Sequence, residues 1–205
     1  MTHRVKICGI TNLDDALTAA SLGADALGFV FYKKSPRYID PIKANEIVAN
    51  LPPFVTPVAL FVDALDQDVE SLIEGNSRWI IQFHGNELEK DCLKFGRPYI
   101  KALRVKNEDY LLSQLTEYPS ASALLLDAYK EGVPGGTGET FNWDVIPKDM
   151  KMPLILAGGL SPSNITKALT IEGIYAVDVS GGVEQSKGIK DSIKLEEFIL
   201  GVKCG

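Results

Sequence analysis

The chain has 205 residues, 45% of them hydrophobic and 23% charged, with a formal net charge of −6. These values describe one ordinary globular domain, expected to span 1–205, and the acidic balance with scattered basic residues argues against a phosphate-neutralising nucleic-acid surface. No apolar stretch nears the roughly 18–20 residues that span a bilayer, the N-terminus lacks signal-peptide architecture, and the three cysteines (Cys8, Cys92, Cys204) lack metal-ligand spacing, which predicts reduced thiols in the cytoplasm and no metal.

Eight apolar runs follow one another along the chain: Val5–Ile10, Ala26–Phe31, Pro57–Val62, Trp79–His84, Tyr99–Val105, Ala123–Asp127, Pro153–Ala157 and Ala176–Val179. They are rich in Val, Ile, Leu and Ala with little polar alternation, the pattern of parallel strands covered on both faces. Helical spacing fills the gaps. Asn12 caps a first helix in which Leu13, Ala16, Leu17 and Ala20 share a face, Asp14 and Asp15 suit its first turn, and Gly23 stops it. Further helices are expected at about 41–50, 67–75, 87–95, 107–117, 162–171 and 190–200, with Pro41 and Pro162 in first turns. Between the sixth and seventh strands only Asn142–Ile146 supports a short helix. Eight strand–helix units predict an α/β chain closed as a single (βα)8 TIM barrel, although about 250 residues are more usual. The rival open doubly wound sheet would place a glycine-rich nucleotide loop after the first strand, and none is there.

In such a barrel all strand carboxyl ends lie on one face, so residues far apart in sequence converge there. Cys8 ends the first strand on the same face as Lys6, leaving Val5 and Ile7 toward the helices. A buried cysteine is often just a small apolar residue, yet a thiol serves as a base where positive charge favours its thiolate, and Lys6 is placed to supply some. Asp178 has the inward parity to pair with Lys6. Arg37 follows the second strand, where its planar fork suits a carboxylate. Gln82 and His84 share an inward face of the fourth. Asp127 comes directly after three leucines, where desolvation favours the protonated carboxyl and so a general acid. The segment 132–138 is too glycine-dense for a regular element and reads as a mobile loop or a solvated connection. Gly158, Gly159 and then Ser180, Gly181, Gly182 follow strands seven and eight, where this fold commonly binds phosphate.

These stretches resemble the phosphoribosylanthranilate isomerase family. The matching segments are Val5–Thr11 (VKICGIT), Gly23–Phe31, Ser35–Tyr38 (SPRY), Gln82–Gly85 (QFHG), Leu125–Asp127 with 135–138, Ala157–Leu160 (AGGL) and Val177–Glu184 (VDVSGGVE). They run in order over nearly the whole chain. The resemblance implies a cofactor-free Amadori rearrangement of N-(5-phosphoribosyl)anthranilate in tryptophan biosynthesis. Asp127 would be the general acid on the ring oxygen and Cys8 the base at the second sugar carbon. Arg37 would hold the anthranilate carboxylate and the two glycine loops the phosphate, with Gln82 and His84 also lining the substrate site. The implied partner is a small phosphorylated molecule. A monomer is the default expectation, and the sequence is equally compatible with a homodimer. The rival readings are a related sugar-phosphate barrel isomerase, such as the duplicated half-barrel type with an aspartate base on strand one, and a non-catalytic phosphate-binding barrel.

Overall fold

A computed structural model describes residues 3–105, 107–128, 142–147 and 151–204. Eight parallel strands close into a barrel in sequence order: β1 (Arg4–Cys8), β2 (Ala26–Val30), β3 (Thr56–Phe61), β4 (Ile80–Phe83), β5 (Tyr99–Val105), β6 (Ala123–Ala128), β7 (Leu154–Leu156) and β8 (Ile174–Val179), with β8 paired back onto β1. Each coincides with an expected apolar run to within one or two residues at either end. The glycine-dense segment 132–138, expected as a loop, lies outside the described residues.

Helices α1 (Leu13–Ser21), α2 (Pro41–Ala49), α3 (Asp66–Glu74), α4 (Glu89–Cys92), α5 (Glu108–Glu117), α6 (Ile165–Ala168) and α7 (Ser192–Lys203) form the outer layer. Local chemistry starts them where expected. The Asn12 side chain accepts from Asp15 N–H, and Asp40 caps α2 with Pro41 at its first position. Three differences have local causes. The expected helix at 162–171 shrinks to α6, because Asn164 accepts from Ser161 N–H and donates to Gly159 O, folding 161–164 as a turn. The last helix starts late, because Lys190 belongs to a hairpin of β9 (Glu184–Ser186) and β10 (Ile189–Lys190), after which Asp191 caps α7. The helix expected at 87–95 is α4 followed by a 3-10 turn, Leu93–Phe95. Between β6 and β7 a 3-10 turn, Trp143–Val145, forms with Asn142 accepting from Asp144 N–H.

Two apolar layers result from strand parity. Val5, Ile7, Leu27, Phe29 and Leu126 join the cluster between barrel and helices, whereas Val58, Ile100, Ala102, Leu125 and Ile155 fill the interior. One ion pair interrupts that interior: Lys6 Nζ and Asp178 Oδ1 are 2.8 Å apart, both buried, as inward neighbours on β1 and β8. Above it Cys8, Val30 and Leu60 close the packed core beneath the carboxyl ends of the strands.

Candidate active site

A cavity of about 670 Å³ opens at those carboxyl ends, a size suited to a small organic molecule. Cys8, Arg37, His84, Asp127 and both glycine loops line it, so a thiol from β1 and a carboxyl from β6 face one space. Gln82 does not reach it. The expected substrate contact is instead fully buried under the wall, its Nε2 3.2 Å from His84 Nδ1.

Asp127 is anchored on one side and has the His84 ring on the other. Its Oδ1 accepts from the N–H of Ala128 at 2.8 Å, and its Oδ2 lies 3.3 Å from His84 Nε2, without hydrogen-bond alignment. Gly158, at φ +80°, is needed beside it, since a Cβ there would stand 2.9 Å from Asp127 Oδ1. His84 is aimed by its loop: Glu87 accepts from the N–H groups of Gly85 and Asp63, and Lys101 donates to both Gly85 O and Glu87 at 2.8 Å. Asp63, at a strand end like the cavity residues, has a structural task here, accepting from Asn86 N–H.

Burial pushes the Cys8 thiol above the ordinary range, and Asp178 adds to that; Lys6 supplies the expected charge favouring the thiolate, with Lys190 beside it, and the two do not reverse the effect of burial. Gly28 makes room for this corner, since a Cβ there would sit 2.8 Å from Cys8 Sγ.

Arg37 is only partly free. Its Nε and Nη2 donate to Glu184 Oε1 and Oε2 at 2.7 and 2.8 Å, a bidentate clamp that raises its pKa. The guanidinium has five N–H groups, so three remain for a ligand. Burial alone would raise Glu184, but Arg37 and Lys190 outweigh it and hold the carboxyl below its usual range. Lys190 Nζ also donates to Cys8 O at 2.6 Å and Ser180 O at 3.2 Å, lacing β1, the loop after β8 and the hairpin together. Burial lowers the pKa of Lys190, against the pull of Glu184. Glu184 and Lys190 were not singled out from sequence; the one signal is a Glu directly after the Ser180–Val183 glycine motif. The two glycine loops meet over the cavity, and a Cβ on Gly182 would overlap the carbonyl of Leu160.

A closed (βα)8 barrel whose strand ends gather a carboxyl, a thiol and two glycine loops around one cavity has the architecture of a barrel enzyme with its site at the strand ends. Residues 5–200 match the family model for N-(5'-phosphoribosyl)anthranilate (PRA) isomerase. The N-(5'-phosphoribosyl)anthranilate isomerase of Marinomonas sp. (strain MWYL1) is 62% identical over the full length of both chains. The crystal structure of phosphoribosyl anthranilate isomerase from Thermotoga maritima superposes with a TM-score of 0.91 at 40% identity, covering 99% of this chain and 100% of that one. A crystal structure of a phosphoribosyl anthranilate isomerase in complex with reduced 1-(o-carboxyphenylamino)-1-deoxyribulose 5-phosphate gives a TM-score of 0.84 at 38% identity, with 99% of this chain and 100% of that one covered. The chain belongs to the phosphoribosylanthranilate isomerase family, and is an isomerase of tryptophan biosynthesis.

Proposed function

We propose that Asp127 and Cys8 are the general acid and general base of the Amadori rearrangement of N-(5'-phosphoribosyl)anthranilate. The observation that carries this reading is their convergence from β6 and β1 on a single cavity. Asp127 gives its proton to the furanose ring oxygen; the bond from that oxygen to the first sugar carbon breaks, and the amine lone pair forms an iminium. Once the iminium's charge is in place, Cys8 releases its own proton to the solvent of the cavity and acts as a thiolate. It removes the proton on the second carbon, and the released electron pair neutralises the iminium as an enolamine. The enol loses its hydroxyl proton and the first carbon gains one, giving the ketone. The iminium is its own electron sink, so this route calls for no cofactor. It also suits a thiol that burial pushes up, because the positive charge that favours its thiolate arrives with the intermediate.

The glycine loops at 158–159 and 180–182 take the phosphate, whose remote binding orients the small sugar. Arg37, preorganised by Glu184, offers its remaining N–H groups to the anthranilate carboxylate. The single barrel is the proposed catalytic unit, working in the cytoplasm as suits a biosynthetic enzyme with free thiols. Purified protein added to phosphoribosylanthranilate is expected to abolish the substrate's fluorescence; persistence of the signal would overturn the reading. Arg37→Ala is expected to lower kcat/KM roughly 10- to 100-fold, about 1.5–3 kcal/mol for a charged hydrogen bond. An unaltered kcat/KM would remove the carboxylate-clamp role.

A further inference from the structure

Gln82 makes a contact that this scheme leaves unused. Its side chain is completely buried, its Nε2 is 3.2 Å from His84 Nδ1, and its Oε1 has no hydrogen-bond partner among the described residues. With its amide nitrogen turned to the ring, Gln82 donates to Nδ1, and the ring N–H is then on Nε2. Nε2 is the atom 3.3 Å from Asp127 Oδ2. β5 lies between the strands carrying ring and carboxyl, with Arg104 paired beside Asp127.

We propose that Gln82 is a positioning residue for the isomerisation: by donating to Nδ1 it keeps His84 in the Nε2–H tautomer facing Asp127. The proposal rests on reading Asp127 as the general acid. The tautomer decides where the acid's proton can go. With hydrogen on Nε2 the ring cannot accept from Asp127, so the carboxyl proton is left for the substrate's ring oxygen. Once that proton has gone, the same N–H stands 3.3 Å from the new carboxylate and favours its charge without an aligned hydrogen bond. The other tautomer would present a lone pair, which draws the proton of the acid away from the substrate and then repels the carboxylate. His84 itself neither gains nor loses a proton in this account.

A fully buried amide with an unpartnered oxygen is destabilising, whereas an apolar side chain of similar volume would not be. Packing alone therefore does not explain Gln82, and this separates a positioning role from a structural one. The chain has just two histidines, His3 and His84, so 15N labelling of histidine followed by NMR at alkaline pH reads the tautomer of each, with a His3→Gln variant for assignment. The native protein is expected to show hydrogen on His84 Nε2 and a bare Nδ1. In Gln82→Met the ring becomes a mixture of tautomers, the thermal midpoint is equal or higher, and kcat falls roughly 10- to 100-fold with KM little changed. Gln82→Leu, a second apolar replacement, is expected to behave alike.

An unchanged tautomer, an unchanged kcat, or a loss of thermal stability in both variants would overturn the proposal. The NMR readout needs no turnover. Failure of the acid assignment would appear separately, as retained activity in Asp127→Asn.

Discussion

Asp127→Asn is expected to lower kcat by at least roughly 10²-fold, the usual scale for losing a general acid, while the barrel stays folded. The carboxamide keeps the shape of the side chain and can still accept from Ala128 N–H, the bond that anchors Oδ1. What it lacks is a proton acidic enough for the ring oxygen. Cys8→Ala should lose at least as much, with a different signature. Sγ is buried in a small apolar cluster with Val30 and Leu60, so its removal leaves a modest void, and the fold should tolerate it. Because acid and base act in successive steps on one substrate, the double variant is expected to fall short of the product of the single losses. Steady-state kinetics on folded variants, checked by circular dichroism, decides the matter. Near-native kcat in either single variant would refute the assignment for that residue.

The barrel was legible in the sequence because its strands are apolar on both faces, and each such run has one simple cause. Cys8, His84 and Asp127 were legible for a related reason. Strand parity gives the direction of a side chain, and the end of the run gives its height in the barrel. Gln82 shows where this stops: its parity is right, but it sits one step deeper than His84, and the run alone does not say at which residue packing gives way to cavity. Glu184 and Lys190 escaped notice because their partners, Arg37 and the carbonyl of Cys8, are 147 and 182 residues away in sequence. No local pattern encodes such a bond. The helix expected from Pro162 was over-read because a proline at a first turn is a local signal, which the Asn164 bonds to Ser161 and Gly159 override. The glycine loops had two explanations in the sequence, turn or ligand. The structure adds another for Gly158, since its missing side chain leaves space for the Asp127 carboxyl.

Lys6→Met is expected to cost about 3–5 kcal/mol of folding stability, the range for removing one member of a buried ion pair. Lys6 and Asp178 side chains are 4% and 10% exposed and 2.8 Å apart, so water reaches the carboxylate only from the cavity that Asp178 borders and replaces the lost ammonium poorly. The methionine fills the space, yet Asp178 is left as a buried charge without its partner. The sign of the pH dependence follows from the same pair. Burial works against the Lys6 ammonium, but Asp178 and Cys8 more than offset it and raise its pKa. A group raised in the folded state contributes stability that is fully present below its unfolded value, about 10.5 for lysine, and is lost as pH rises through the folded value. The deficit of Lys6→Met should therefore be complete at neutral pH and narrow only in strong alkali. Adding Asp178→Leu should recover much of the lost stability, because an apolar pair avoids the desolvation of both charges. The rate should respond too, since Lys6 is the main group opposing the rise of the Cys8 thiol. Without it the thiolate is harder still to form, and kcat should drop even in the fraction that folds. Urea titrations of the single and double variants test the energetic claim. A single variant within about 1 kcal/mol of native stability would show that the barrel's interior solvates Asp178 by some other route.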